Sequence, residues 1–205
     1  MLNFDLDPAN LIKLNLELEN YIDEKGDLHP LEGKDTCLFS INKHKNGYIY
    51  HFKHIISSEL RSYLSNLNPE ILMFEHDKIR KMLDQFIPCK NVQVFIGCYF
   101  NYLPKKEDFS LVEKLQDKYV IKNNELDVSV AWAQEENDKA IEIAVETISG
   151  YQKNGYGRQV VSALAYDAIK TGKIAFYSYL QENESSQALA KSLKVSKYAV
   201  STIYS

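Results

Sequence analysis

Gly155 and Gly157 stand two apart at the head of an apolar-periodic run, within "YQKNGYGRQVV" (residues 151–161), in a chain with only eight glycines in 205 residues. Glycine inside a helix costs about 1 kcal/mol against alanine, and a helix start ordinarily carries a small polar cap. Two glycines at that point imply that something comes close to the backbone. The free N–H groups of a first helical turn point outward, and the helix dipole adds partial positive charge. Glycines also let successive N–H groups converge into a nest. Lys153 and Arg158 add cationic charge beside the turn. The chemistry such a stretch suits is anion binding, and a pyrophosphate would be well held.

The elements that must position this turn can be read outward from it. "KAIEIAVETI" before it is a strand, and residues 156–171 after it form a helix with Val160, Val161, Leu164, Ala165 and Ala168 on one face and Gly172 as its stop. "IAFYSYL" is the next strand, Asn183 caps a short helix through Leu193, and "KYAVSTIY" alternates like a final strand. Upstream, "KYVIK" and "DVSVAWAQ" are strands, the second joined to "KAIEIAVETI" as a meander, and "VQVFIGCYF" is a buried strand. A charged helix-like stretch follows Pro104. Earlier still, the spacing predicts helices over 8–21, 57–67 and 77–86, and a hairpin of "TCLFSI" and "YIYHFKHI" turned by Asn46-Gly47. The mixture without strict βαβ alternation predicts an α/β fold with a largely antiparallel central sheet flanked by helices, and a division near residue 90.

Two familiar phosphate signatures do not fit. The dinucleotide fingerprint GxGxxG would need a third glycine where Val160 stands, and GxxxxGK[ST] is absent. Gln152-Lys153-Asn154-Gly155-Tyr156-Gly157 instead matches Gln/Arg-x-x-Gly-x-Gly/Ala, and so resembles the acetyl-CoA loop of the GCN5-related N-acetyltransferases (GNAT). "IEIAVETISGYQKNGYGRQVVSALAYDAI" resembles the strand, loop and helix of that family's core. "NESSQALAKSL", with Asn183, Ser186, Leu189 and Ala190, resembles its N-x-x-S/A-x-x-L-A/Y segment. The Glu146-Thr147 spacing is similar to that of a bacterial GNAT subgroup with a long N-terminal extension. The resemblance implies a GNAT-like catalytic domain over 91–205, preceded by an α/β extension over 1–90. It implies an acyltransferase moving an acetyl group from acetyl-CoA to a primary amine by direct attack, with no metal. Backbone N–H groups of Lys153, Asn154, Gly155, Tyr156, Gly157 and Arg158, with Gln152, would hold the pyrophosphate. The pantetheine arm would pair with Val145 to Thr147, where an N–H can polarise the thioester carbonyl. Asn183 and Ser186 would contact the cofactor.

An amine that arrives as ammonium must lose a proton, which calls for a carboxylate or a water chain. Glu142 and Glu146 share one strand face, opposite Ile141, Ile143 and Val145, and either is a candidate base. In two places the chain departs from the family. Ala190 takes the position of the tyrosine that protonates the departing thiolate in many relatives, and Lys194-Val195 replaces a frequent Gly-Phe. Tyr177, Tyr179 and Tyr198 are near in sequence, and nothing there selects one. A CoA-binding protein without transferase activity is therefore an alternative.

A net charge of −4 argues against a sequence-independent hold on nucleic acid phosphates and is compatible with an amine substrate. Nevertheless "SSQALAKSLKVSKYAVSTIYS" (residues 185–205) resembles a helix-turn-helix, which would make residues 196–204 a recognition helix of a DNA-binding regulator. Cys37, Cys89 and Cys98 form no CxxC pair and the start carries no basic, apolar leader, so the expectation is a reduced, cytoplasmic protein without a membrane span. His51 and His54 have metal-ligand types but, three apart on a strand, point to opposite faces. The first ninety residues either close the acceptor side or form a homodimer contact. The acceptor amine itself is not specified.

Overall fold

The structure is a computed structural model that describes residues 6–35 and 37–205. The first five residues of the segment read for a leader, and Thr36 at the head of an expected strand, lie outside them. The elements in chain order are α1 (Pro8–Leu16), β1 (Asn20–Ile22), β2 (Asp27–Pro30), β3 (Phe39–His44), β4 (Gly47–Lys53), α2 (Ser58–Asn66), α3 (Pro69–Phe74) and α4 (His76–Leu83). Then follow β5 (Val92–Tyr99), a 3-10 turn (Lys106–Phe109), β6 (Glu113–Leu115), β7 (Lys118–Asn123), β8 (Leu126–Glu136), β9 (Ala140–Thr147), α5 (Tyr156–Lys170), β10 (Ile174–Leu180), α6 (Glu184–Leu193) and β11 (Ser196–Tyr204).

Several expectations shift for local reasons. The first helix ends at Leu16 rather than Tyr21, because Asn20 Nδ2 donates to the Leu16 carbonyl (3.0 Å) and takes the bond a continuing helix would use. The hairpin pairs His44 with Gly47, so Lys45 and Asn46 form its loop and Gly47, at φ +135°, opens β4. Asn68-Pro69 ends one helix and starts another, with Asn68 Oδ1 accepting from Glu70 N–H (3.0 Å). The charged stretch after Pro104 forms only the short 3-10 turn, where Asp108 Oδ2 accepts from Lys105 N–H (3.2 Å), and the edge strand β6. Residues 196–204 are strand, with Thr202 opposite Ile41 and Tyr204 opposite Phe39. Their β-branched alternation outweighs the helix-turn-helix spacing, and no recognition helix is formed.

The chain forms two compact units, Gly97–Lys197 and Asp7–Ile96 with Tyr198–Ser205. The second carries strands in the order β1-β2-β4-β3-β11, antiparallel except for β2–β4. Its core gathers Phe39, Ile41, Leu64, Leu72, Ile79, Leu83 and Tyr204. There His51 is turned toward Asn42, and His54 Nδ1 toward the Leu28 carbonyl, so the two histidines have separate partners.

In the Gly97–Lys197 unit the order is β6-β7-β8-β9-β10, antiparallel except for β9–β10. The expected face of α5 is buried against β8 and β9, among Val128, Ala131, Ile141 and Ile143. α5 ends at Lys170, with Thr171 as its C-cap before Gly172 (φ +88°). α6 is capped by Asn183, whose Oδ1 accepts from Ser186 N–H (3.0 Å), and it closes on Lys194 in the left-handed conformation (φ +56°). Among the described residues, no helix is long and apolar enough to cross a membrane.

Candidate functional site

The glycine turn, both flanking strands and α6 lie within the Gly97–Lys197 unit. Ile148 N–H donates to the Val128 carbonyl (3.0 Å) on the β8 side. The two-residue alternation of an antiparallel ladder then turns the N–H and C=O groups of Val145 and Thr147 to the other edge of β9. There the parallel pairing with β10 runs from Ile174↔Ala140 to Phe176↔Glu142 and stops. β9 nevertheless continues to Thr147 and β10 to Leu180. The strands part, leaving the backbone of Val145 and Thr147 without a strand partner on this edge among the described residues.

At this point a cleft of about 630 Å³ opens, lined by Val145, Glu146 and Thr147, the glycine turn, the first turn of α5, Tyr177 of β10, and α6. Gly150, Lys153 and Gly155 have left-handed backbones (φ +92°, +64° and +76°), which fold the turn tightly against the end of β9. Gln152 Nε2 donates to the Thr147 carbonyl (3.3 Å) and ties the turn to the strand. Asn154 Nδ2 donates to the Tyr151 carbonyl (3.2 Å). Gly155 is the N-cap of α5, and no side chain caps that end. Its first-turn N–H groups therefore face the cleft region unclaimed by a side chain, with no acidic residue in that turn to oppose an anion. Lys153 has no partner among the described residues, whereas Arg158 Nη2 is held by Asp108 (3.2 Å).

At Gly157 the need is for space. An added Cβ would meet Thr147 Oγ1 at 3.3 Å and Leu189 Cδ2 at 3.6 Å. On α6, Ser185, Ala188, Leu189 and Ser192 line the cleft at spacings of three and four residues. The sequence resemblance named Leu189 of that face but not Ser185, Ala188 or Ser192, although their short side chains at helical spacing were the available signal.

The two candidate carboxylates separate. Glu146 is exposed and lines the cleft. Glu142 is four residues back on the same strand face, about 13 Å away at the strand rise. It is absent from that lining and is held on β10: Ser178 N–H donates to its Oε1 (2.6 Å) and Ser178 Oγ to its Oε2 (3.3 Å). Asn183 and Ser186 both line the cleft, with Asn183 already spending its oxygen as the α6 cap. Of Tyr177, Tyr179 and Tyr198, the cleft takes Tyr177. The residue is 3% exposed, and burial pushes its phenol pKa above the ordinary tyrosine value, opposed in part by a hydrogen bond with the Ser186 side chain. Ala190 is buried in the core beneath. No group of three or more His, Cys, Asp or Glu side chains is placed to hold a metal ion among the described residues.

Residues 119–203 match the family model described as FR47-like protein. No curated protein sequence matches the chain. Among solved structures, the chain is similar to a GCN5-related N-acetyltransferase-like protein from Streptococcus suis, at 15% identity and a TM-score of 0.44, over 98% of this chain and 95% of that one. It is similar to an acetyltransferase from the GNAT family from Colwellia psychrerythraea, at 8% identity and a TM-score of 0.46, over 89% and 79%. It is also similar to a GNAT-family protein from Novosphingobium aromaticivorans, at 13% identity and a TM-score of 0.46. That match spans 57% of this chain and 65% of the other, less than two thirds of the relative's length.

Proposed function

We propose that the protein, whose residues 119–203 match the FR47-like family model, is a GNAT-type enzyme that transfers an acetyl group from acetyl-CoA to a primary amine. The observation that carries this reading is a coincidence in one cleft: the uncapped α5 N-terminus behind Gly155 and the strand-free backbone edge of Val145 and Thr147 both face it. The residues fit the donor. A helix N-terminus with left-handed Lys153 and Gly155 ahead of it offers converging N–H groups to a pyrophosphate, and the β9 edge beyond the end of the β10 pairing, where only the Gln152 side chain reaches the Thr147 carbonyl, offers amide pairing to an extended arm.

In this reading Lys153 to Arg158 hold the pyrophosphate through backbone N–H groups. Val145 and Thr147 pair with the pantetheine amides, and an N–H of this edge polarises the thioester carbonyl. Glu146 accepts the proton that an arriving ammonium must shed, directly or through water, and passes it to solvent. The freed amine nitrogen attacks the thioester carbon and the C–S bond breaks. Tyr177 gives its phenol proton to the departing sulfur, and the proton lost by the nitrogen on amide formation replaces it. The products are an acetamide and the CoA thiol. Tyr177 thus takes the place of the proton donor missing at Ala190.

Calorimetric titration with acetyl-CoA tests the reading, beside a Gly157→Glu variant whose bulk and charge spoil the turn. Micromolar binding by the native protein that is lost in the variant supports the donor site, and thiol release across a panel of amines then identifies the acceptor. Binding without thiol release for any amine would leave a CoA-binding protein. Absence of binding by the folded native protein would overturn the reading.

A further inference from the structure

We propose that Glu142 is a ladder stop: its carboxylate ends the β9–β10 pairing at a fixed rung and so keeps open the backbone edge at Val145 and Thr147. The inference rests on the acetyl-CoA reading above and assigns Glu142 a positioning role in it.

The register makes the case. Ile174 N–H donates to the Lys139 carbonyl (2.9 Å). A parallel ladder repeats every two residues, so the next N–H groups of β10 to face β9 are those of Phe176 and Ser178, opposite the carbonyls of Ile141 and Ile143. The pairing stops one rung short. Ser178 N–H goes not to a β9 carbonyl but to Glu142 Oε1, at 2.6 Å, and Ser178 Oγ takes Oε2 at 3.3 Å. A hydrogen bond to a carboxylate is shorter and roughly twice as strong as one between neutral amides, so it competes successfully with the next backbone rung. A side-chain carboxylate between two strands also holds them wider than the ~4.8 Å of a paired ladder. Beyond this point lie Val145 and Thr147 on one side and Tyr177 on the other, all lining the cleft. Without the stop, Ser178 N–H is free to take the Ile143 carbonyl, and the strands close toward the residues that the donor's arm needs.

The test compares native protein, Glu142→Ala and Glu142→Gln by calorimetry with two ligands, acetyl-CoA and adenosine bisphosphate, the nucleotide half that lacks the arm. In Glu142→Ala, acetyl-CoA affinity should fall about tenfold, the scale of one hydrogen bond to a charged group, while adenosine bisphosphate affinity holds. Glu142→Gln retains the side chain's length and one acceptor oxygen but loses the charge, so its acetyl-CoA affinity should fall between those of the native protein and Glu142→Ala, with adenosine bisphosphate affinity unchanged. In the ligand-free protein, the Ser178 amide proton should lie downfield in the native NMR spectrum and move upfield in Glu142→Ala. Should the alanine variant fail to fold, Glu142→Asp withdraws the carboxylate by one methylene and should show the same split between the two ligands.

Equal losses for both ligands, or native acetyl-CoA affinity in the shortened variant, would overturn the ladder stop alone. Native binding with turnover abolished in Glu142→Gln would overturn it in favour of a proton-accepting role. A native protein that binds neither ligand would overturn the acetyl-CoA reading itself, whatever the Ser178 resonance shows.

Discussion

A Cβ placed on Gly157 would stand 3.3 Å from Thr147 Oγ1, and that hydroxyl is itself fixed from behind by Ser129 Oγ at 2.8 Å. The α5 N-terminus and the end of β9 are therefore packed to within one missing methyl. The first turn of α5 cannot shift toward β9 without moving Thr147.

Gly157→Ala should consequently destabilise the protein by about 1 kcal/mol, because the tight contact outweighs the gain in helix propensity. In a Thr147→Ala background the obstacle is gone. There the same substitution should stabilise by about 0.5–1 kcal/mol, the propensity difference between glycine and alanine. A double-mutant cycle by chemical denaturation reads the coupling, and additive effects would show that Thr147 is not the obstacle.

Asn183→Ala should cost about 1 kcal/mol, since Asn183 Oδ1 is the N-cap of α6 through Ser186 N–H. Asn183→Asp and Asn183→Ser retain a capping oxygen and should stay within a few tenths of a kcal/mol of native stability. Thermal unfolding of the three variants checks this ranking, and an alanine variant as stable as native would remove the cap from the account.

Tyr177→Phe should lower kcat by about a hundredfold at unchanged acetyl-CoA affinity, the low end of general acid catalysis. The loss should shrink with a thioester of an acidic thiol, whose sulfur leaves without help. The raised phenol pKa sets the sign of the pH profile: Tyr177 stays protonated, and able to donate, up to and beyond the ordinary tyrosine value. Its titration should therefore produce no falling limb in kcat below that pH, and a limb near neutrality assigned to this phenol would exclude it as the donor.

His51 is pushed down to about 4 by burial, and its Nδ1 faces the Asn42 amide nitrogen at 3.3 Å. The folded state thus binds its proton less readily than the unfolded chain. This contribution is complete above the ordinary histidine value and is lost as pH falls from there toward 4, by at most about 3 kcal/mol. His51→Gln should flatten that part of the stability–pH curve, measured by denaturant unfolding between neutral pH and pH 4. An unchanged slope would show that His51 is not its source.

Several features of the site were legible because their causes are local. Two glycines before an apolar helical face, Asn183 three residues ahead of the amide it caps, and the β8–β9 meander each satisfy their constraints within a few neighbouring residues. The buried face of α5 was readable for the same reason, as a period of 3.6 set by one sheet surface. What misled was also local. A helix-turn-helix spacing over 185–205 and a helical period through Tyr21 describe what the segments could form alone, before partner strands are considered.

The sequence by itself determined the glycine turn and the helices on either side of the cleft, and offered Glu142 and Glu146 alike as candidate carboxylates, because backbone freedom, capping and periodicity act over one or two turns. Only the tertiary structure decided which groups meet. It set β11 against β3, with Ser201 Oγ donating to Asn42 Oδ1 across 159 residues of chain. It brought Glu142 to Ser178, 36 residues away, and placed Tyr177, rather than Tyr179 or Tyr198, in the lining of the cleft. The physical reason is that strand pairing and its interruption are satisfied by hydrogen-bond partners distant in sequence, and no residue's type or spacing names the partner that folding will supply.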